Sequence, residues 1–145
     1  MKDSPSSEIL VADSHLSLIP AGEYGVMYHS HETRFVFGRK LIVHFTITEN
    51  GMAGLQVSRF YNVQGFGGEP GIVGEFKVGK CCTFYREYLN LFDPQTPRPD
   101  RLSMHRFKHQ PILAKVRVVT EANGTPLPKA AQYSVIDRLI RVIEE

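Results

Sequence analysis

Residues 41–48 alternate so strictly that one structure is dictated. Leu41, Val43, Phe45 and Ile47 share one face, while Ile42, His44, Thr46 and Thr48 share the other. A period of two belongs to a β-strand with one face against a core, and no helix satisfies it. Glu49-Asn50-Gly51 follows at once, and Asn-Gly is a strong tight-turn signal because both residues accept positive φ. The strand must therefore turn back on a partner, which residues 55–63 supply. Ahead of it, the turn Ile19-Pro20-Ala21-Gly22-Glu23 leads into a further alternating run over residues 24–31. There Tyr24, Val26 and Tyr28 oppose Gly25, Met27 and His29. Three consecutive antiparallel strands are expected.

Beyond them, residues 64–80 carry six glycines and one proline, the composition of a long loop with unusual backbone angles. Cys81, Phe84, Tyr88 and Leu91 then recur at helical spacing, which predicts an amphipathic helix of about three turns with Cys81 on its core stripe. Pro94, Pro97 and Pro99 stop it. Alternation returns over residues 112–118, where Ile112, Ala114, Val116 and Val118 oppose Leu113, Lys115 and Arg117, and Asn123-Gly124 marks another hairpin. Residues 133–145 fit two readings. Ile136, Leu139, Ile140 and Ile143 suit a helix opened by Ser134 with Asp137 three residues on, whereas Tyr133, Val135 and Leu139 would serve a strand closing the sheet. The balance favours a helix, after a short strand.

The order is strand, strand, strand, helix, strand, with the last segment open to a further strand, and one or two helices in a mainly β chain. It matches an OB-like Greek-key small barrel, whose helix lies between its third and fourth strands; the alternative is an α+β antiparallel sheet with a helix on one face. At 145 residues the chain suits one domain, able to bury roughly 70% of the surface of its unfolded form. Residues 1–18 mix Ser, Asp, Glu and Pro without period and read as a flexible arm, so the β-rich domain spans 19–145. Apolar runs fall far short of the ~20 residues of a membrane span, and the polar start through Lys2 and Asp3 has no apolar segment of a secretory signal behind it. A cytoplasmic protein is expected, with Cys81 and Cys82 as reduced thiols, since neighbours in sequence cannot staple a fold.

Catalytic and metal-binding patterns are incomplete. The segment from Gly74 to Cys81 has the spacing of a phosphate-binding loop, but Cys81 stands where Ser or Thr would hold magnesium and no parallel strand precedes it. His29, His31 and His44 could converge from neighbouring strands on a zinc ion, yet no Cys or carboxylate completes the set. His105 and His109 have the spacing of a zinc-protease helix without its Glu. No enzyme, cofactor or metal is therefore expected, and a binding role is.

Charge suggests what is bound. Before Arg34 there is one basic residue against five acids, whereas residues 34–117 carry thirteen basic residues and six acids, a net of +7. Aromatic residues interleave with those cations at Arg34-Phe35-Val36-Phe37-Gly38-Arg39-Lys40, placed in the first hairpin loop, and at Arg59-Phe60-Tyr61-Asn62. Phe66, Phe76-Lys77, Tyr85-Arg86, Arg106-Phe107-Lys108 and the pair Lys115 and Arg117 continue the theme. Single-stranded nucleic acid needs both parts, since cations neutralise phosphates while rings stack on bases.

The run from Ile19 to Tyr24, the hairpin after it, the Arg59 to Asn62 strand and Phe76-Lys77-Val78-Gly79-Lys80 ahead of a helix resemble small OB-fold single-stranded DNA-binding proteins of phages and integrative mobile elements, over about residues 19–92. The resemblance implies a non-catalytic DNA-binding domain working with replication or recombination proteins. It gives base stacking to Phe35, Phe37, Phe60 and Tyr61, and phosphate contact to Arg34, Arg39, Lys40, Arg59, Lys115 and Arg117. The alternative is a protein-interaction module, such as a phage-encoded inhibitor presenting its basic face to a host protein. An exposed strand edge would allow a homodimer.

Overall fold

A computed structural model describes residues 18–49, 51–92, 98–99 and 102–143. The expected arm therefore lies outside the described residues except for Leu18, as do Asn50, Pro94, Pro97 and the two C-terminal glutamates. Where the body begins, Ile19 is buried, and Ser134 ties it down by accepting from its N–H at 2.6 Å and donating to its carbonyl at 2.7 Å.

The three-strand nucleus forms as β1 (Gly22–Phe35), β2 (Arg39–Ile47) and β3 (Gln56–Asn62). In β2 the alternating set Leu41, Val43, Phe45 and Ile47 is wholly buried, as its period demands. β1 is longer than its alternation suggested, because a bulge at His29 resets its phase. Core-facing partners of β2 therefore fall at Val26, Tyr28, His31 and Thr33, in steps of two, three and two. The bulge also separates His29 and His31, whose spacing of two would put them on one face of a regular strand: His29 is exposed and His31 is buried. Arg34 and Lys40 pair across the two strands, so the hairpin loop shrinks to Val36-Phe37-Gly38.

The glycine-rich segment holds a small ladder, β4 (Gly65–Phe66) with β5 (Phe76–Lys77), and covers the edge of β1 that no full strand reaches. Thr33 N–H donates to Gly71 O at 2.9 Å and Val73 N–H to His31 O at 2.9 Å. Glycine is needed at position 74, where a Cβ would lie 2.2 Å from Thr33 Oγ1. These contacts make the segment an edge cover, and its phosphate-loop spacing ends in an exposed Cys81 in the turn ahead of the helix.

α1 (Thr83–Phe92) buries Phe84, Tyr85 and Tyr88. Cys81 therefore does not belong to the core stripe, and Tyr85 takes its place. Phe107, on a 3₁₀ turn over Met104–Phe107, closes the core beneath the helix; its ring meets those of Tyr28, Phe45, Phe84, Tyr88 and Phe92 at centroid distances of 4.9 to 6.4 Å. β6 (Ile112–Val119) follows, then a hairpin of β7 (Glu121–Ala122) and β8 (Thr125–Pro126). At its tip Asn123 and Gly124 have φ of 54° and 79°, as a tight hairpin turn requires.

The favoured helix over the last segment is not what forms. Tyr133–Val142 is a strand, β9, paired antiparallel with β6. Asp137 and Ile140 are skipped in the register, so the residues opposite Val118, Val116, Ala114 and Ile112 are Ser134, Ile136, Leu139 and Val142. Steps of two, three and three imitate a helical period, which is why the apolar spacing misleads.

The sheet order is β3-β2-β1-β6-β9, all antiparallel, and the sheet is not closed into a barrel. β3 and β9 lie near each other without ladder bonds, and α1 packs against both. Glu87 of α1 joins them. Its carboxylate accepts from Arg59 Nη2 at 2.6 Å, from Tyr61 Oη at 2.8 Å and from Leu139 N–H of β9 at 3.3 Å. The Arg59 and Glu87 side chains are each only 13% exposed, unlike those of Arg117 and Asp137, at 55% and 41%, which pair at 3.0 Å.

Removing one partner of a buried pair strands the other charge, whereas an exposed pair contributes little. Glu87→Ala is expected to lower the free energy of unfolding by about 3 kcal/mol or more, and Asp137→Ala by under about 1 kcal/mol. Urea unfolding of the two variants checks this, and equal small losses would remove Glu87 as the clasp.

Candidate nucleic-acid interface

Strand geometry divides the predicted site residues between two faces. In β3, Arg59 and Tyr61 lie opposite Val43 and Leu41 of the core set, while Phe60 and Asn62 lie opposite Ile42 and Lys40 on the outer face. Tyr61 is consequently 2% exposed, packed edge-on against Phe84 and bonded to Glu87. It is a core residue with no face open for stacking, and burial raises its pKa well above the usual tyrosine value. Tyr85 and Phe107, read as surface aromatics among cations, are likewise core.

Phe37, Lys40, Arg59, Phe60 and Arg117 come together. They line one groove of about 420 Å³ that runs from the β1–β2 hairpin across the open seam between β3 and β9. Tyr133, at the start of β9, lines it too and was not among the predicted residues. Its place was hidden because the segment that carries it reads as a helix.

Phe37 is the most unusual member. It is 95% exposed and has φ of 53°, a left-handed conformation that costs a bulky side chain about 1 kcal/mol or more, and Gly38 beside it has φ of 121°. Phe60, 38% exposed, offers a second ring on the outer face. Phe35 is also exposed but does not line the groove.

The cations fall into two groups. Arg34 pairs with Glu32 at 2.8 Å, Arg59 with Glu87, and Arg117 with Asp137. Burial works against the Arg59 charge, but the hydrogen bonds and charge of Glu87, with Tyr61, outweigh it and hold its pKa above the usual arginine value. Arg39 and Lys115 are exposed without a carboxylate partner among the described residues, and Lys40 bonds only the neutral Asn62 side chain. Arg34, Arg39 and Lys115 do not line the groove, so its walls carry Lys40 with the carboxylate-paired Arg59 and Arg117, two exposed rings and a third ring at the far wall.

The histidines do other work. His44 bridges Ser58 Oγ and Glu32 Oε2, each at 2.7 Å, while His31 bonds Tyr28 Oη at 2.6 Å and lines a cavity of about 750 Å³ beneath the glycine-rich segment. His29 bonds only its neighbour Ser30, at 3.0 Å. Among the described residues no group of three or more His, Cys, Asp or Glu is placed to hold a metal ion. The hydrogen bond from His44 holds the Glu32 carboxyl below its usual range; burial opposes the shift and Arg34 supports it.

Burial depresses the His31 pKa from its usual 6.5, and the charges of His44 and Lys108 add to the effect. A histidine with a depressed folded value binds protons more readily unfolded, so its contribution is complete above 6.5 and is lost as pH falls through the folded value. Glu32 adds a second loss at lower pH by the same sign. The melting temperature is expected to fall from about pH 7 to about pH 5, and to fall less in His31→Asn. Parallel profiles from thermal unfolding would exclude His31 as the source.

No helix among the described residues is long and apolar enough to cross a membrane. Comparison with protein-family models, with curated proteins and with solved structures finds no match to this chain.

Proposed function

We propose that this chain is an OB-like domain that binds single-stranded nucleic acid, DNA in the first instance, in the groove across the β3–β9 seam, without catalysis. The strand order supports the OB-like part. If the gap between β3 and β9 is taken as a seam, the strands run β1-β2-β3-β9-β6 around a partly open barrel, and α1 falls between the third and fourth long strands. In that architecture oligonucleotides lie on the second and third strands, between the loop after the first strand and the loop before the last. Phe37, Lys40 and Phe60, with Val119 and Tyr133 flanking the later loop, occupy those places.

The observation that carries the reading is the convergence of Phe37 and Phe60 with Lys40, Arg59 and Arg117 on one groove, one of the rings exposed at a backbone cost the fold does not explain. Rings would stack on bases whatever their sequence, and cations would line the backbone. Because Arg34, Arg59 and Arg117 already face carboxylates, the free charge among the predicted phosphate contacts falls to Arg39, Lys40 and Lys115. A modest electrostatic term follows, with a slope of log affinity against log salt of about −2 for a single strand.

A protein-interaction module remains the second reading, because Ile72 and Val73, 83% and 63% exposed on the edge cover of β1, form an apolar patch away from the groove. Anisotropy of labelled single-stranded and duplex oligonucleotides separates the two. Single strands should bind more tightly than duplex, and Phe37→Ala with Phe60→Ala should weaken them by roughly tenfold or more. Binding that ignores both rings would sink the groove, and no binding at low salt would turn attention to Ile72 and Val73.

A further inference from the structure

A second groove lies on the far side of the Arg59–Glu87 pair. Arg59 and Ile136 line the first, and Arg59 is held by Glu87 at 2.6 Å; Glu87 and Leu139 in turn line the second, of about 340 Å³, between α1 and β9. The two lie on either side of the Arg59–Glu87 pair and differ in chemistry. The second has no aromatic ring in its lining. Its lips carry Arg86 from α1 and Arg138 from β9, both exposed and neither with a carboxylate partner among the described residues. Asn90 Nδ2 donates to Ile140 O at 3.2 Å and fixes the spacing of helix and strand.

We infer that this second groove is a phosphodiester subsite: a strand whose bases stack in the aromatic groove continues along the seam, and Arg86 and Arg138 take its phosphates from opposite sides. The inference rests on the proposed single-strand reading and extends its footprint. Glu87 sits in the path but offers no free charge, since Arg59, Tyr61 and the Leu139 N–H occupy its oxygens. Asp137, next to Arg138, is likewise engaged by Arg117. What a passing backbone meets is therefore the two guanidiniums. The absence of a ring makes the subsite indifferent to bases, and cations on both lips suit a polyanion lying along the groove.

The test compares oligothymidylates of about 4 and about 12 nucleotides, both within the range of site sizes of a single OB domain, on the full chain and on Arg86→Ala/Arg138→Ala. Both side chains are exposed, so the fold should survive, and circular dichroism checks that. Loss of two phosphate contacts should make the salt slope for the longer strand shallower by about 1.4, with the shorter strand unaffected. A longer-strand slope that matches the parent, while the short strand still binds both proteins, would overturn the subsite and leave the aromatic groove standing. Failure of the parent to bind either length would overturn both.

Discussion

Glu87 is the group on which the two ends of the sheet depend. A five-stranded sheet that curls until its edges face each other, yet does not close, leaves backbone donors and acceptors unpaired along two strands. Here the helix lies over that gap, and its one inward carboxylate takes bonds from a guanidinium and a phenol on β3 and a backbone amide on β9. A buried carboxylate with three donors is tolerable only because its charge is matched, and the match fixes Arg59. The Arg59 guanidinium then lies 4.5 Å over the Tyr61 ring, so a single arginine is held by charge, hydrogen bond and π-face together.

Leaving the seam unpaired is what makes room for a groove. Ladder bonds between β3 and β9 would draw Phe60 and Tyr133 together and fill the space between them. A carboxylate bridge holds the strands in place at one level and leaves them apart at the next. The same carboxylate divides the seam, with rings towards the hairpin and free arginines towards the helix. Stability and the proposed binding surface are therefore two consequences of one arrangement.

The parts of the fold legible in the sequence were those with unbroken periodicity. β2 could be read residue by residue because every second side chain meets the core. β9 could not, since the skips at Asp137 and Ile140 give it the apolar spacing of a helix, and a bulge depends on a partner strand that local pattern does not contain. The candidate groove was legible in composition but not in direction. Arg59, Phe60 and Tyr61 are consecutive, so a strand must send the middle one to the opposite face from its neighbours. Phe107 was lost for another reason: flanked by Arg106 and Lys108, it carries no periodic signal, and only tertiary packing shows it as the ring around which five others gather.

Phe37, like the exposed Val73 with its φ of 55°, is a residue that folding alone does not account for. A hairpin tip needs positive φ, and Asn or Gly supplies it without penalty, as Asn123-Gly124 does elsewhere in this chain. A phenylalanine there pays in backbone strain, and at 95% exposure it recovers none of that by burial. The adjoining Gly38 shows that the turn already had a residue suited to it. The hairpin thus trades stability for an exposed ring at the mouth of a cationic groove, a trade that makes physical sense when the ring's partner lies outside the chain.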